Sequence, residues 1–276
     1  MIDDMTIRNM SANTQEVCIR AVVGLSALHG RSPDKLALED VRDYQLHLVA
    51  RGLKPASINM YMSGLRFFYA TTLGQRYLAC QIPMARTQDP LPTVLSPGEV
   101  ERFLKAVKTM KMRAAFMTIY GAGLRVSELT ALTVSDIDSA RMVINVRQAK
   151  GGKDRHIMLS SQLLSILRDY WRQTRPSHWL FPGADPLSPI TKRRLQLAFH
   201  EALKAAGIRK PATVHTLRHS FATHLLEQRV DIRVIQDLLG HRDIRSTTRY
   251  TRVAVETIRQ VQSPLDFLNM GLAPPA

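Results

Sequence analysis

Cysteine is nearly missing from this sequence. Cys18 and Cys80 are its only two, far apart and in no metal-ligand spacing. Their scarcity excludes a disulfide scaffold and a cysteine-held zinc site, and reads as reduced thiols of a cytoplasmic protein. No apolar run reaches the roughly 18 residues a membrane helix needs, so no membrane partner is expected. The opening MIDDMTIRNMSANTQ is acidic and polar, without the apolar core of a secretory signal. Low-complexity runs and internal repeats are absent as well. Acidic side chains are in short supply: 23 Asp and Glu stand against 38 Lys and Arg, a net charge of +15. The shortfall is uneven. Residues 1–89 hold ten basic and eight acidic side chains, and residues 90–276 hold 28 and 15. A basic half of that size attracts polyanions, nucleic acid above all; the competing reading is a solvated basic surface with no partner.

A chain of 276 residues, 45% hydrophobic, is comfortable with two cores. Apolar periodicity predicts a helix over 13–29 (Val17, Ala21, Leu25, Leu28) that stops at Gly30, and a second over 38–51 that stops at Gly52. A third, capped by Ser57, runs through Ile58, Met62, Leu65 and Phe68 to Gly74. QIPMARTQDPLPTVLSP then brings four prolines and little periodicity, the mark of a linker. Ser96-Pro97-Gly98-Glu99 restarts helix with a capping-box pattern and proline at the first helical position. Further helices fit 111–121, 124–132, 160–174, 190–206, 216–229 and 231–239. MVINVRQ (142–148) and DRHIML (154–159) alternate apolar and polar residues around Lys150-Gly151-Gly152-Lys153, a hairpin signal with a lysine at each end of its turn.

VHTLRHSFATHLL (214–226) is the most unusual stretch. A helix burying Leu217, Phe221 and Leu225 also carries His215, Arg218, His219 and His224. Three readings are open there: a metal site, satisfied core histidines, or a grip on an anion by His215 and Arg218. Elsewhere Arg125 follows Gly121-Ala122-Gly123-Leu124 and precedes Glu128, His241 follows Leu-Leu-Gly, and Tyr250 lies in STTRYT. Singly, each has a bland reading: a local ion pair, a solvated lysine, a cap, an exposed tyrosine. Together they fit phosphoryl transfer. Two arginines can hold the non-bridging oxygens of a phosphodiester bidentately, and charge neutralisation dominates that chemistry. A tyrosine can be the nucleophile. With a free pKa of about 10 it is only about one part in a thousand ionised at pH 7, so it needs a base or strong positive charge nearby.

GAGLRVSELTAL, the AKGGKDRHIML hairpin, HTLRHSFATHLL and LLGHRDIRSTTRYT resemble the tyrosine recombinases of the phage-integrase type across the whole C-terminal half. Order and spacing match together: Arg125 to Lys150 is 25 residues, then 65 to His215, 3 to Arg218, 23 to His241 and 9 to Tyr250. The resemblance implies that Arg125, Lys150, His215, Arg218, His241 and Tyr250 are catalytic: two clamping arginines, His215 helping to take the tyrosine proton, Lys150 protonating the leaving 5′-oxygen, His241 donating to a phosphate oxygen, and Tyr250 as nucleophile. It implies a mostly α fold with a small β-hairpin. A helical, SAM-like core-binding domain would span 1–80, a linker 81–95 and a mainly helical catalytic domain 96–276, the two domains forming a C-shaped clamp. It also implies site-specific recombination of duplex DNA with inverted half-sites through a 3′-phosphotyrosyl intermediate, assembly to a tetramer on DNA, a possible accessory DNA-bending or directionality factor, and a nucleoid-associated location. Neither cofactor nor metal is called for. KPATVHTLRHSFAT and the late SPLD (263–266) look closest to integron integrases, but the segment between Tyr170 and Ile190 is short where those carry an insertion, which pulls the reading toward simpler Xer-like or element-borne recombinases. Lys192, Arg193 and Arg194 are candidate contacts to the DNA backbone, or else a solvated helix start. His219 is expected to pack and bond to nearby backbone, and His224 to be structural.

The rival readings are a metal-dependent nuclease using His215 and His219, a catalytically silent DNA-binding protein of this fold, and a type IB topoisomerase. The first lacks an HExxH glutamate and a carboxylate cluster for magnesium. Lys150 and Lys153 compete for the role of general acid, and the family spacing selects Lys150. Lys150→Ala should therefore cleave ordinary DNA slowly and recover on a substrate with a bridging 5′-sulfur, whose thiolate leaves without a proton. Selective rescue of Lys153→Ala instead would reverse the assignment.

Overall fold

Caps and glycine stops set many of the helix ends in this chain. The computed structural model describes residues 1–87, 91–149, 153–240 and 245–252, and the chain divides into two units, Met1–Pro90 and Leu91–Ala276. The N-terminal unit holds α1 (Ile2–Ile7), α2 (Ala12–His29), α3 (Leu38–Ala50), α4 (Pro55–Phe67) and α5 (Arg76–Gln81). The Ser11 hydroxyl accepts the Thr14 N–H at 3.3 Å to start α2, and Gly30 ends it in the left-handed conformation. Ala21 and Leu25 of α2, Val41 and Leu48 of α3, and Met62 and Leu65 of α4 form the core.

Two expectations about the third helix are corrected. It begins at Pro55 with Lys54 at its N-cap, so Ser57 lies inside the first turn and caps nothing. Proline pre-set for the first helical position explains the earlier start. The α-helix also stops at Phe67, and Phe68–Thr72 continue as a π-turn. The wider turn carries two consecutive aromatics inward: Phe68 and Tyr69 are both buried, and their rings meet edge to face at 5.3 Å. Residues after α5 stay attached to this unit. Arg66 donates to the Ile82 carbonyl, and the Asn59 amide pairs with the Ala85 backbone at 2.7 and 2.8 Å.

The C-terminal unit runs α6 (Pro97–Ala106), α7 (Met110–Ala122), α8 (Val126–Ala131), β1 (Ile137–Asp138), β2 (Val143–Ala149), β3 (Lys153–Met158), α9 (Ser161–Thr174), α10 (Lys192–Ala205), α11 (Val214–Glu227), α12 (Ile232–Leu239) and α13 (Arg245–Thr248), with a 3-10 turn at Arg249–Arg252. The expected capping box forms: Ser96 accepts the Glu99 N–H at 3.3 Å, and Glu99 accepts the Ser96 N–H at 2.7 Å. Phe103, Phe116 and Phe199 bind α6, α7 and α10 together through ring contacts of 4.7 to 5.8 Å. The hairpin is joined by a short β1, unexpected from the sequence, into an antiparallel sheet of order β1-β2-β3 among the described residues. Ile144 pairs with Ile157 and Val146 with Arg155, so Arg155 stands on the strand face that carries the buried Ile157. The hairpin turn and the last 24 residues lie outside the described residues. Among the described residues no helix is long and apolar enough to cross a membrane.

Gly123 ends α7 at a φ of 60°, and a Cβ there would lie 2.5 Å from the Phe221 ring. Gly123→Ala combines left-handed strain with overpacking, so it should cost about 2 kcal/mol or more. Urea unfolding measures it; an unchanged midpoint would contradict this close approach.

Candidate active site

Arg125 sits at the N-cap of α8, immediately after the glycine-ended α7, and its side chain is one-fifth exposed. Its partner is Glu128, in the first turn of the same helix. Glu128 accepts the Arg125 backbone N–H at 2.8 Å on Oε2 and a guanidinium N–H at 2.7 Å on Oε1. The same carboxylate takes both terminal nitrogens of Arg155, each at 2.9 Å. Arg218, in the second turn of α11, approaches Oε2 to 3.6 Å. One buried carboxylate thus stands among three guanidinium groups.

The three arginines meet a second time, at the end of α12. The Arg155 Nε donates to the Leu238 carbonyl at 3.1 Å, Arg218 to Leu239 at 2.6 Å, and Arg125 to Gly240 at 3.2 Å. Arg218 also donates to the Gly123 carbonyl at 2.6 Å. Successive orphan carbonyls at a helix C-terminus are acceptors with partial negative charge, which suits cations. Burial pushes the Glu128 carboxyl up, but the Arg155 and Arg125 hydrogen bonds outweigh it and hold the group down at about 2. Burial, and after it the charge of Arg125, lowers the Arg218 guanidinium to about 10, leaving it cationic at neutral pH.

In front of this cluster lies a cleft of about 580 Å³, lined by Arg125, Lys192, Arg193, Gln196, His200 and His215 among others. Burial and then the charges of Arg218, Arg125 and Lys192 lower the pKa of His215 below its ordinary 6.5, so its ring is neutral at pH 7 and able to accept a proton. Of the expected backbone contacts, Lys192 and Arg193 face the cleft, whereas Arg194 borders a separate hollow beside Thr109 and Glu201.

Tyr250 lies in the 3-10 turn, 2% exposed, packed with Phe221, Ala222, Ile235 and Leu239. His219 Nδ1 and the Tyr250 hydroxyl are 3.1 Å apart. This contact with a side chain is one the sequence did not announce; being four residues after His215, His219 shares that face of α11 and meets the turn folded against it. His224 pairs with the Tyr120 hydroxyl at 2.9 Å. The crowded histidines therefore face three different surroundings. Among the described residues no group of three or more His, Cys, Asp or Glu side chains could hold a metal ion. Lys150 and His241 lie outside the described residues.

Arg155, Glu128 as the hub, and the contact of His219 with Tyr250 are what sequence reasoning missed. One signal existed. In DRHIML, Arg155 alternates in phase with Ile157 and Leu159, which puts a guanidinium on the apolar face of a strand. A charge buried there requires a partner.

The description "Phage integrase family" matches residues 93–257, and "Phage integrase, N-terminal SAM-like domain" matches residues 1–78. A putative integrase/recombinase, y4qK, of Sinorhizobium fredii is 44% identical over 97% of this chain and 88% of its own. The tyrosine recombinase XerD of Caulobacter vibrioides is 35% identical over 81% of this chain and 79% of its own. Among solved structures, the Tn1549 transposon integrase in complex with a circular intermediate DNA superposes with a TM-score of 0.75 at 21% identity, over 93% of this chain and 97% of that one, a likeness of fold. The class is thereby defined: an enzyme, a tyrosine-type site-specific recombinase. Within that class the chain belongs to the phage integrase family.

The Glu128 charge should appear in the stability–pH curve. Its carboxyl is lowered in the folded state from an ordinary 4.5 to about 2, so it contributes stability that is fully present above pH 4.5 and is lost as pH falls toward 2. The contribution is about 3 kcal/mol, at about 1.4 kcal/mol per pH unit. Glu128→Gln should be less stable than wild type at pH 7, with the gap narrowing between pH 4.5 and 2. Denaturant unfolding across that range checks it, and a gap independent of pH would contradict the ion cluster.

Proposed function

We propose that this protein cuts and rejoins duplex DNA at specific sites through a 3′-phosphotyrosyl intermediate, with Tyr250 as nucleophile. The observation that carries the reading is a cleft lined by Arg125 and His215, with Arg218 buried behind it beside Glu128 and the Tyr250 hydroxyl 3.1 Å from His219, one turn further along the helix that bears His215 and Arg218. A phosphodiester in the cleft meets two guanidinium groups for its non-bridging oxygens. The Tyr250 oxygen attacks phosphorus and its proton passes to the neutral His215. The bond from phosphorus to the 5′-oxygen breaks, and that oxygen takes a proton from Lys150. His241 donates to a phosphate oxygen. Rejoining is the reverse, with a 5′-hydroxyl of a second duplex attacking the phosphotyrosyl bond. One phosphodiester replaces another, so no nucleotide cofactor or metal is used.

The charge distribution supports a DNA substrate, since the excess of Lys and Arg lies in the half that holds the cleft. Several similar folds were solved with DNA, the lambda integrase as a dimer bound to a core site. On this reading residues 1–80 form the core-binding domain, 81–95 the linker and 96–276 the catalytic domain. Four protomers assemble on two sites of inverted half-sites, with an accessory DNA-bending or directionality factor where the direction of exchange is controlled. The enzyme then works in the cytoplasm, on the nucleoid.

Tyr250→Phe removes one hydroxyl and leaves the phosphate contacts. It should abolish covalent protein–DNA adducts on a nicked suicide duplex while duplex affinity stays within about threefold, since binding rests on backbone charges. Adducts on a denaturing gel from the mutant would remove Tyr250 as nucleophile.

A further inference from the structure

Arg155 is 11% exposed and is no part of the cleft lining, yet it makes two hydrogen bonds to Glu128, which holds Arg125, and one to the Leu238 carbonyl, next to the Leu239 carbonyl that holds Arg218. A carboxylate has about four lone-pair sites. In Glu128 all four are taken: Oε1 accepts from the Arg125 and Arg155 guanidinium groups, and Oε2 from the Arg125 backbone and Arg155. Arg218, at 3.6 Å from Oε2, stands just beyond hydrogen-bond distance. It donates to the Gly123 and Leu239 carbonyls, each at 2.6 Å.

We infer that Arg155 is a positioning residue for strand transfer: by filling half the acceptor capacity of Glu128 it fixes that carboxylate on Arg125 and keeps it from closing on Arg218. Without Arg155 the two vacated lone pairs are buried and unsatisfied, a costly state. A donor close by is Arg218, about 0.7 Å too far for a hydrogen bond of ordinary length. Rotation of Glu128 toward Arg218 would draw one clamp off its carbonyls and loosen the other. The bond from Arg155 Nε to Leu238 adds a second constraint. It ties β3 to the end of α12. The side chain also fits closely against Gly240, where a Cβ would lie 3.0 Å from its terminal nitrogen. Lysine cannot reproduce this, because a point charge lacks the fork that meets both Glu128 oxygens while Nε meets a carbonyl.

The inference rests on the strand-transfer reading above, and its test keeps the two apart. Wild type, Arg155→Gln, Arg155→Lys, Glu128→Gln and the Arg155→Gln/Glu128→Gln double variant are compared for duplex Kd and for the rate of covalent adduct formation at saturating nicked duplex. A misplacement of about 1 Å can cost a hundredfold in rate. Arg155→Gln and Arg155→Lys should each slow adduct formation about a hundredfold, with Kd within about threefold of wild type. The double variant should be within about threefold of the slower single variant, because Arg155 acts through Glu128. Wild-type rates in both Arg155 variants, or multiplicative losses in the double variant, would overturn the inference. So would a weakened Kd at an unchanged rate, which would make Arg155 a DNA contact. A second measurement needs no activity: the Glu128 carboxyl, titrated by NMR, should rise from about 2 in Arg155→Gln, and an unmoved value overturns the inference whichever way the cleavage assay reads. Adducts missing from wild type count against the strand-transfer reading alone.

Discussion

Glu128 is the charge around which the C-terminal unit is arranged. Two guanidinium groups hydrogen-bond its carboxylate and a third lies at 3.6 Å. Like charges this close repel strongly in a medium of low dielectric constant. A single buried anion between them, with the partial negative charge of the α12 C-terminus on the other side, makes the arrangement tolerable. Removing the anion would leave buried, uncompensated cations, which is far more costly than any surface pair is worth.

That constraint explains how distant parts of the chain meet. Arg125 comes from the start of α8, Arg155 from β3 and Arg218 from α11, and all three end on the successive carbonyls of Leu238, Leu239 and Gly240 where α12 ends. Each carbonyl is an orphan acceptor of a helix terminus, so the arginines satisfy backbone and carboxylate together. The guanidinium groups are thereby fixed in place, which on the reading proposed above precedes the arrival of a phosphate. Such preorganisation is what electrostatic catalysis requires, because no donor has to be reoriented as charge develops. The same network reaches the surroundings of Tyr250 through α11, which carries Arg218 and His219 in adjacent positions.

Much of the architecture was legible because it is local. The Ser96 cap, the glycine stop at Gly30 and the alternation of the hairpin strands depend on residues a few positions apart, and the structure follows them. Local signals misled where packing decided. Ser57 looks like a cap, but Pro55 starts the helix first. The π-turn at Phe68–Thr72 exists because Phe68 and Tyr69 both enter the core, which no local pattern announces. The motif residues Arg125, His215, Arg218 and Tyr250 were legible as a set because order and spacing selected them together, whereas Arg155 matched no motif and was passed over.

The sequence by itself determined the helical class, the basic half, the family and the residue types available for phosphoryl transfer. Composition, periodicity and motif spacing are properties of the chain before it folds. Only the tertiary structure decided which groups are partners. That Glu128 binds Arg155 across 27 positions, that Tyr250 meets His219 across 31, and that three arginines share the end of one helix are facts of three-dimensional proximity. The physical reason is that buried charges and orphan carbonyls accept any donor of suitable geometry. Which donor arrives depends on how strands and helices pack, and the local sequence does not encode that separately.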